Sequence, residues 1–347
     1  MRISHKFRKR FDHGTLCNTN ESCIDKSLRI DRRQSTLHVT SHCSHCPIFH
    51  SRILIFCATT SQVRRMSLPR VFVITGANKG IGYGIVKGLA EKLQTAIIYL
   101  TARNEKLGKE SLDKLIKELG DNRHSDIRFH QLDITDRTSC ENFASYLKKE
   151  HSGLDVLVNN AGFAFKNAAS EPPEKQARVT IGINYNGTKQ VSNILFPLIR
   201  GGGRVVNVSS SEGVIAGRYS DEIIARLTSP SLTVADIDKF TCDYMKACIE
   251  DKRRENGFPN SAYKVSKAAV IALTFIQAKE LKTRNILVNA CHPGYVNTDM
   301  TSHYGLLTIE EGADTPIYLA TLEGNGPTGK FFYKRKEIDW NVPFVSS

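Results

Sequence analysis

From Arg70 onward the chain alternates short apolar runs with stretches whose apolar residues recur at helical spacing. Residues 70–75 read Arg-Val-Phe-Val-Ile-Thr, a β-rich run, and Ile81, Ile85, Leu89 and Leu93 then fall every four residues, which predicts an amphipathic helix. Residues 97–101, 127–132, 154–158, 204–208, 285–290 and 330–333 read as further strands, and 107–119 as a further helix. Strands separated by helical crossovers predict an α/β fold, a doubly wound parallel sheet covered on both faces.

One interval breaks this rhythm. Between Ser210 and Tyr263 lie 52 residues, where a single crossover would suffice. Thr233 with Asp236 reads as a capping box, and Ile237, Phe240, Tyr244 and Cys248 follow at helical spacing. The insertion, about residues 211–260, is therefore predicted to carry at least one amphipathic helix whose aromatic stripe packs on the main body. Since the helix carrying Tyr263 follows directly, the insertion is expected to cover that helix's outer face.

Composition and charge divide the chain into an extension, 1–65, and a single domain, 66–347. The 347 residues are 40% hydrophobic and 24% charged, with a net charge of +13. Residues 1–66 hold 12 Lys and Arg against 4 Asp and Glu, leaving 36 against 31 for the rest, so most of the basic excess sits in the extension. The basic excess is mostly a property of the extension and leaves an ordinary enzyme surface; a nucleic-acid binder using that extension is a further reading. The extension shows no periodic apolar pattern, and its longest apolar stretch, 53–58, is too short for a membrane span. The first fifteen residues lack the apolar core of a secretory signal.

Cys17, Cys23, Cys43, Cys46 and Cys57 fall in the extension, while Cys140, Cys242, Cys248 and Cys291 are scattered through the rest without framework spacing, which points to a reducing compartment. His42, Cys43, His45, Cys46 and His50 invite a zinc reading, but a single C-x2-C lacks a second pair, and no metal is expected. The extension reads as an unstructured basic leader or an upstream translated segment, with Met66 as a native start. Its Arg and Ser content also suits a mitochondrial presequence, against which Asp12, Glu21, Asp25 and Asp31 count.

Three groups carry candidate chemistry. The turn 75–82, Thr-Gly-Ala-Asn-Lys-Gly-Ile-Gly, places Gly76, Gly80 and Gly82 between the first main strand and the helix beginning near Ile81. Such a turn lets the backbone approach a pyrophosphate, which the helix N-terminus would stabilise. At the end of the next strand no carboxylate appears until Glu105, and Arg103 with Lys79 can clamp a ribose 2′-phosphate, which favours NADP over NAD. Tyr263 and Lys267 stand four apart, on one helix face, so an ammonium can ease ionisation of a phenol. At about 4 Å and an effective dielectric of 20 that contribution reaches up to about 4 kcal/mol.

Together with Leu132-Asp133-Ile134, Asn159-Asn160-Ala161-Gly162, Asn184, the run 206–210, Pro293-Gly294 and Thr298-Asp299-Met300, these motifs cover roughly residues 68–340. The sequence resembles the short-chain dehydrogenase/reductase family, specifically its monomeric NADPH carbonyl reductase branch. The long insertion before Tyr263 and the terminal Trp340 belong to the same resemblance. It implies a Rossmann-type sheet, a cytoplasmic monomer without nucleic-acid or membrane partners, and NADPH-dependent reduction of small aldehydes, ketones or quinones. An NADPH-binding redox sensor with little turnover is the alternative.

By the same resemblance Tyr263 is the general acid and Lys267 both tunes it and holds the nicotinamide ribose. Ser210 bonds the substrate carbonyl, and Asn184 orders a water that reprotonates the pair. Neighbouring Ser209 and Ser211 leave a one-residue ambiguity, resolved by aligning the run 206–210. The cofactor would be contacted by Gly76, Asn78, Lys79, Gly80, Ile81, Gly82, Arg103, Asp133, Ile134, Asn160, Tyr263, Lys267, Pro293, Gly294 and Val296, with Asp133 at the adenine amino group. The chain departs from the pattern at His292 and Tyr295, where Cys and Trp are usual, and at Glu212, where an apolar residue is. His292 reads as a packed or hydrogen-bonded histidine rather than a catalytic base.

Overall fold

The computed structural model describes residues 69–166 and 168–344, together with the backbone of 26–31 and 36–41. The chain divides into two compact units, 1–68 and 69–347. In the first, β1 (Lys26–Asp31) and β2 (Thr36–Ser41) pair antiparallel, with Lys26 opposite Ser41, a pairing the apolar pattern did not predict. The leader cysteines Cys17, Cys23, Cys43, Cys46 and Cys57, the His42, His45 and His50 positions, the apolar stretch 53–58 and Met66 lie outside the described residues.

The second unit is built on an eight-stranded sheet: β3 (Arg70–Ile74), β4 (Ala96–Ala102), β5 (Asp126–Gln131), β6 (Leu154–Asn159), β7 (Ile199–Val208), β8 (Leu287–His292), β9 (Lys330–Tyr333) and β10 (Lys336–Ile338). The order across it is β10-β9-β8-β7-β6-β3-β4-β5. All neighbours are parallel except β10, which turns back antiparallel on β9 and was not expected from the sequence. Because β4 and β5 extend from one side of β3 while β6 to β9 extend from the other, the direction of winding reverses between β3 and β6.

Alternation along β3 shows why both sheet faces need cover. Phe72 and Ile74 join the core formed with α1 (Gly80–Lys92), α2 (Glu105–Leu119) and α9 (Ile309–Ala320), through Ile85, Leu89, Leu115 and Leu319. Val71 and Val73 join the opposite core, with Phe143 and Leu147 of α3 (Arg137–His151) and Val191 and Leu195 of α5 (Thr188–Leu195). A strand buried on both sides reads as the continuous apolar run seen in the sequence.

The insertion folds as α6 (Asp221–Leu227) and α7 (Val234–Ile249), one helix more than the minimum expected. Thr233 caps α7 as predicted: its hydroxyl accepts from Asp236 N at 3.2 Å, and Asp236 Oδ2 accepts from Thr233 N at 2.8 Å. Ile237, Phe240, Tyr244 and Cys248 are buried in one cluster with Ala177 and Ile181 of α4 (Pro173–Ile181) and Val265, Ala268, Ala269 and Ala272 of α8 (Ala262–Glu280). The stripe therefore covers the outer face of α4 and α8. A polar contact fixes its register, because Asp238 Oδ1 accepts from Tyr185 Oη at 2.8 Å and pairs with Lys189. Among the described residues no helix is long and apolar enough to cross a membrane.

Candidate active site

The site begins at the winding reversal, where β3 and β6 end side by side. Thr75 Oγ1 accepts from both Asn160 N and Ala161 N at 3.0 Å, and Asn160 Nδ2 donates to Thr75 O at 2.9 Å and Gly76 O at 3.1 Å. Gly76 lies at φ 61°, and a Cβ there would stand 2.8 Å from Ala161 Cα. Both facts demand glycine, one for its backbone conformation and the other for the close approach. Across the turn, Ser111 Oγ of α2 donates to Asn78 O at 2.7 Å.

The turn leads into α1, whose N-terminus carries no capping side-chain bond and no acid in its first turn. Helices α2, α3, α7, α8 and α9 all have capping side chains. The first amides of α1 thus remain available donors beside a positive dipole end, suited to an anion. They face a cleft of about 340 Å³ lined by Gly76, Asn78, Lys79, Gly80, Ile81, Arg103, Asp133, Ile134, Asn160, Tyr263, Lys267 and Pro293, all among the predicted positions. Gly82, Asn184, Ser210, Gly294 and Val296, also among the predicted positions, do not line it. A roomier groove of about 690 Å³ runs between α6 and the C-terminal strands, past Leu227, Phe275 and Trp340, but none of the predicted site residues line it.

The cationic clamp is only half free. Arg103 lies exposed at the rim, whereas Lys79 Nζ pairs with Asp299 at 2.7 Å and holds that carboxyl below its usual range. With Lys79 67% and Asp299 59% exposed, the pair is screened by solvent and weak. Asp133 forms a local turn, its Oδ1 accepting from Thr135 N at 2.9 Å and Thr135 Oγ1 at 2.7 Å.

At the far end of the cleft Tyr263 and Lys267 occupy successive turns of α8, which Ser261 caps. Lys267 Nζ donates to Val208 O at 2.9 Å and lies 5.5 Å from the Tyr263 ring centre. The neighbouring serines make different contacts. Ser209 lines the cleft with its Oγ donating to Lys267 O at 2.9 Å, while Ser210 Oγ accepts from Glu212 N at 3.2 Å and, by hydrogen bonding, favours ionisation of the phenol. Gly213 permits this closeness, since a Cβ on it would stand 2.8 Å from Lys267 O. Asn184 sits in a π-helical turn, Gly182–Gly187, with its Oδ1 accepting from Phe163 N at 2.7 Å. Its Nδ2 donates to Phe163 O at 2.9 Å and Ser266 Oγ at 3.0 Å. Both amide hydrogens are thereby occupied, leaving the second lone pair of Oδ1 for solvent. A methyl built on Gly162 would stand 3.4 Å from Asn184 Oδ1 and 3.7 Å from Lys267 Nζ, so both polar ends approach one point.

Electrostatically the pair differs from expectation. Burial pushes the Tyr263 phenol up to about 12; Ser210 works against this and the Glu212 carboxylate adds to it. Burial also pushes Lys267 down to about 8. Desolvation leads both shifts, and the Lys267 ammonium is held by the Val208 carbonyl.

The short chain dehydrogenase profile matches residues 70–220 and 253–305. The chain belongs to the short chain dehydrogenase family. "Carbonyl reductase [NADPH] 3" of Rattus norvegicus is 43% identical over 285 residues, covering 79% of this chain and 99% of that protein. "Carbonyl reductase [NADPH] 1" of Bos taurus is 40% identical over 277 residues, covering 78% and 98%. Among solved structures, salutaridine reductase from Papaver somniferum is 32% identical with a TM-score of 0.69, covering 76% of this chain and 99% of its own.

The glycine turn at the winding reversal, the start of α1 and the Tyr263–Lys267 face line one cleft. Several contributors were not assigned from sequence: Thr75 as a double acceptor, Ser266 as the anchor of Asn184, and Asp299 as the partner of Lys79. Thr75 and Asp299 stood inside quoted motifs, but their partners lie 85 and 220 positions away and local spacing cannot show them. His292 packs as expected, stacked on Tyr333 with ring centres 4.9 Å apart, its Nδ1 accepting from Gly294 N at 3.3 Å. Burial lowers its pKa to about 4, with Lys267 adding to the shift. The folded state therefore holds His292 neutral while the unfolded chain takes up a proton below about 6.5, so this contribution is complete above 6.5 and lost between 6.5 and about 4. Urea titrations at successive pH values should show a fall of about 3 kcal/mol across that window, and His292→Gln should flatten that part of the slope.

Proposed function

We propose that the protein reduces small-molecule carbonyl compounds, aldehydes, ketones or quinones, to alcohols with NADPH. The observation that carries this reading is the Tyr263 phenol, flanked by Ser210 and Lys267, opening onto a cleft whose other end is the uncapped N-terminus of α1. The names of the carbonyl reductase relatives support the same cofactor and reaction.

The residues present suit NADPH. The bare amides of α1 and the close backbone at Gly76, Gly80 and Gly82 would hold the pyrophosphate. Arg103 and Lys79, the latter now paired with Asp299, would hold the 2′-phosphate, and no acid at the end of β4 opposes it. Asp133 and Ile134 would border the adenine, Asn160 the turn, and Pro293, Gly294 and Val296 the nicotinamide end. NADPH bound there supplies the hydride. Tyr263 gives its proton to the carbonyl oxygen, Ser210 hydrogen-bonds that oxygen, and Lys267 with Asn184 returns a proton to the phenol. A phenol held protonated by burial is ready to donate at neutral pH, which suits reduction.

We further infer that the working protein is residues 66–347, a monomer of the cytoplasm, or of the mitochondrion should the leader be a presequence. Burial of Ile237, Phe240 and Tyr244 against α4 and α8 supports the monomer, because it covers the face through which many short-chain reductases associate.

Three outcomes are expected. Tyr263→Phe should lower turnover at least ~10²-fold while NADPH still binds, as measured by steady-state kinetics and nucleotide titration; near-wild-type turnover would refute the assignment. The ratio of kcat/KM values should favour NADPH over NADH and collapse in Arg103→Asp. A chain begun at Met66 should keep wild-type turnover and melting temperature and sediment as a monomer at micromolar concentration; a stable dimer mass would show that α7 does not cap that face.

A further inference from the structure

Glu212 puts a carboxylate where the resembled pattern has an apolar residue, immediately beyond the serine turn. Its contacts are specific. The backbone N–H of Glu212 donates to Ser210 Oγ at 3.2 Å, fixing the hydroxyl that neighbours the phenol. Its carboxylate lies 3.3 Å from Lys264 Nζ and 3.5 Å from Arg218 Nη2. Lys264 directly follows Tyr263 on α8, and Arg218 Nη1 donates to Ser211 O at 2.9 Å. One residue thus engages the Ser210 hydroxyl through its main chain and the Tyr263 helix through its side chain. Glu212 is 40% exposed, Lys264 32% and Arg218 26%, so these charges are partly screened rather than cancelled.

We propose that Glu212 is a positioning residue for proton donation: it ties the Ser210 turn to the helix bearing Tyr263 and sets a carboxylate charge, balanced by Arg218, on Lys264, the residue that follows Tyr263. The inference rests on Tyr263 being the proton donor. A carboxylate near a phenol disfavours the phenolate, and Glu212 acts in that direction on Tyr263 while Ser210 opposes it. Glu212 from the serine turn and Lys267 from α8 are the charged groups acting on or near the phenol; Arg218 from the following loop and Lys264 from α8 face the Glu212 carboxylate, and Cys291 and His292, at the end of β8, respond to Lys267. The consequence is directional. Glu212 extends upward the pH range in which Tyr263 holds its proton and can act as an acid, and it suppresses the phenolate that alcohol oxidation requires. Lys264 and Arg218 limit how far the effect goes.

The test compares the full chain with Glu212→Gln, which keeps the shape and hydrogen-bonding capacity but loses the charge, and with Lys264→Gln, which leaves the carboxylate less balanced. The first readout is the pH profile of kcat for NADP-dependent oxidation of 4-nitrobenzyl alcohol. The second is ultraviolet tyrosinate titration, taken as the difference from the same protein carrying Tyr263→Phe. Glu212→Gln should move the phenol's ionisation to lower pH and raise oxidation at neutral pH about threefold, a shift of roughly half a pH unit. Lys264→Gln should move it the opposite way. An unshifted ionisation in Glu212→Gln, or a shift of the same sign in both variants, overturns the proposal; loss of stability and turnover with an unmoved titration does so too, since it marks a purely packing role. Opposite shifts in the titration without any turnover would uphold the role of Glu212 and refute the reductase reading instead.

Discussion

The whole site hangs on the meeting of β3 and β6 at the reversal of winding. A parallel sheet leaves the ends of adjacent strands with unpaired amides and carbonyls, and at this point the chain departs in opposite directions, so no neighbouring strand can satisfy them. Thr75 and Asn160 do so instead, the hydroxyl taking two N–H groups and the amide serving two carbonyls. That knot fixes the glycine turn, and with it the direction in which α1 points its open amides. Loss of either side chain would leave several buried polar groups without partners, each costing about 1–3 kcal/mol.

A second set of bonds holds α8 to the sheet. Asn159 Nδ2 donates to Asn207 Oδ1 at 2.8 Å, and Asn207 Nδ2 donates to Thr274 Oγ1 and Gln277 Oε1 at 2.9 Å each, linking β6 and β7 to the helix. With the Gly213 contact at Lys267, this chain fixes how deeply Tyr263 and Lys267 are set. Depth then governs their chemistry. Desolvation disfavours both charged forms, moving the phenol from 10.0 to about 12 and the amine from 10.5 to about 8. Both shifts have burial as their leading cause, whereas the spacing alone suggested a direct ammonium–phenol attraction.

Much of this was legible in the chain because it depends on local periodicity. Strands buried on both faces announce themselves as apolar runs, the α1 repeat follows from Ile81, Ile85 and Leu89, and the Thr233–Asp236 box marks the start of α7 three residues apart. The cleft residues were legible for a related reason, since glycine turns and the Tyr263–Lys267 spacing are short-range signatures. What the sequence could not show are pairings set by the fold. Glu212 meets Lys264 from 52 positions away, Lys79 meets Asp299 from 220, and the amide of Asn184 is claimed by a loop and a helix that only tertiary structure brings together. The short helix α6 and the edge strand β10 lack enough length for a period to emerge.

The insertion helix has a further consequence. Helix α7 is joined to α8 by 12 residues, 250–261, and buries its apolar stripe on α4 and α8. A cover supplied by a second chain would come and go with dilution, whereas one on a short tether faces its docking surface at an effective concentration set by the length of the connection. The cover over the outer face of α8, the helix that carries Tyr263 and Lys267, is therefore supplied from within the same chain.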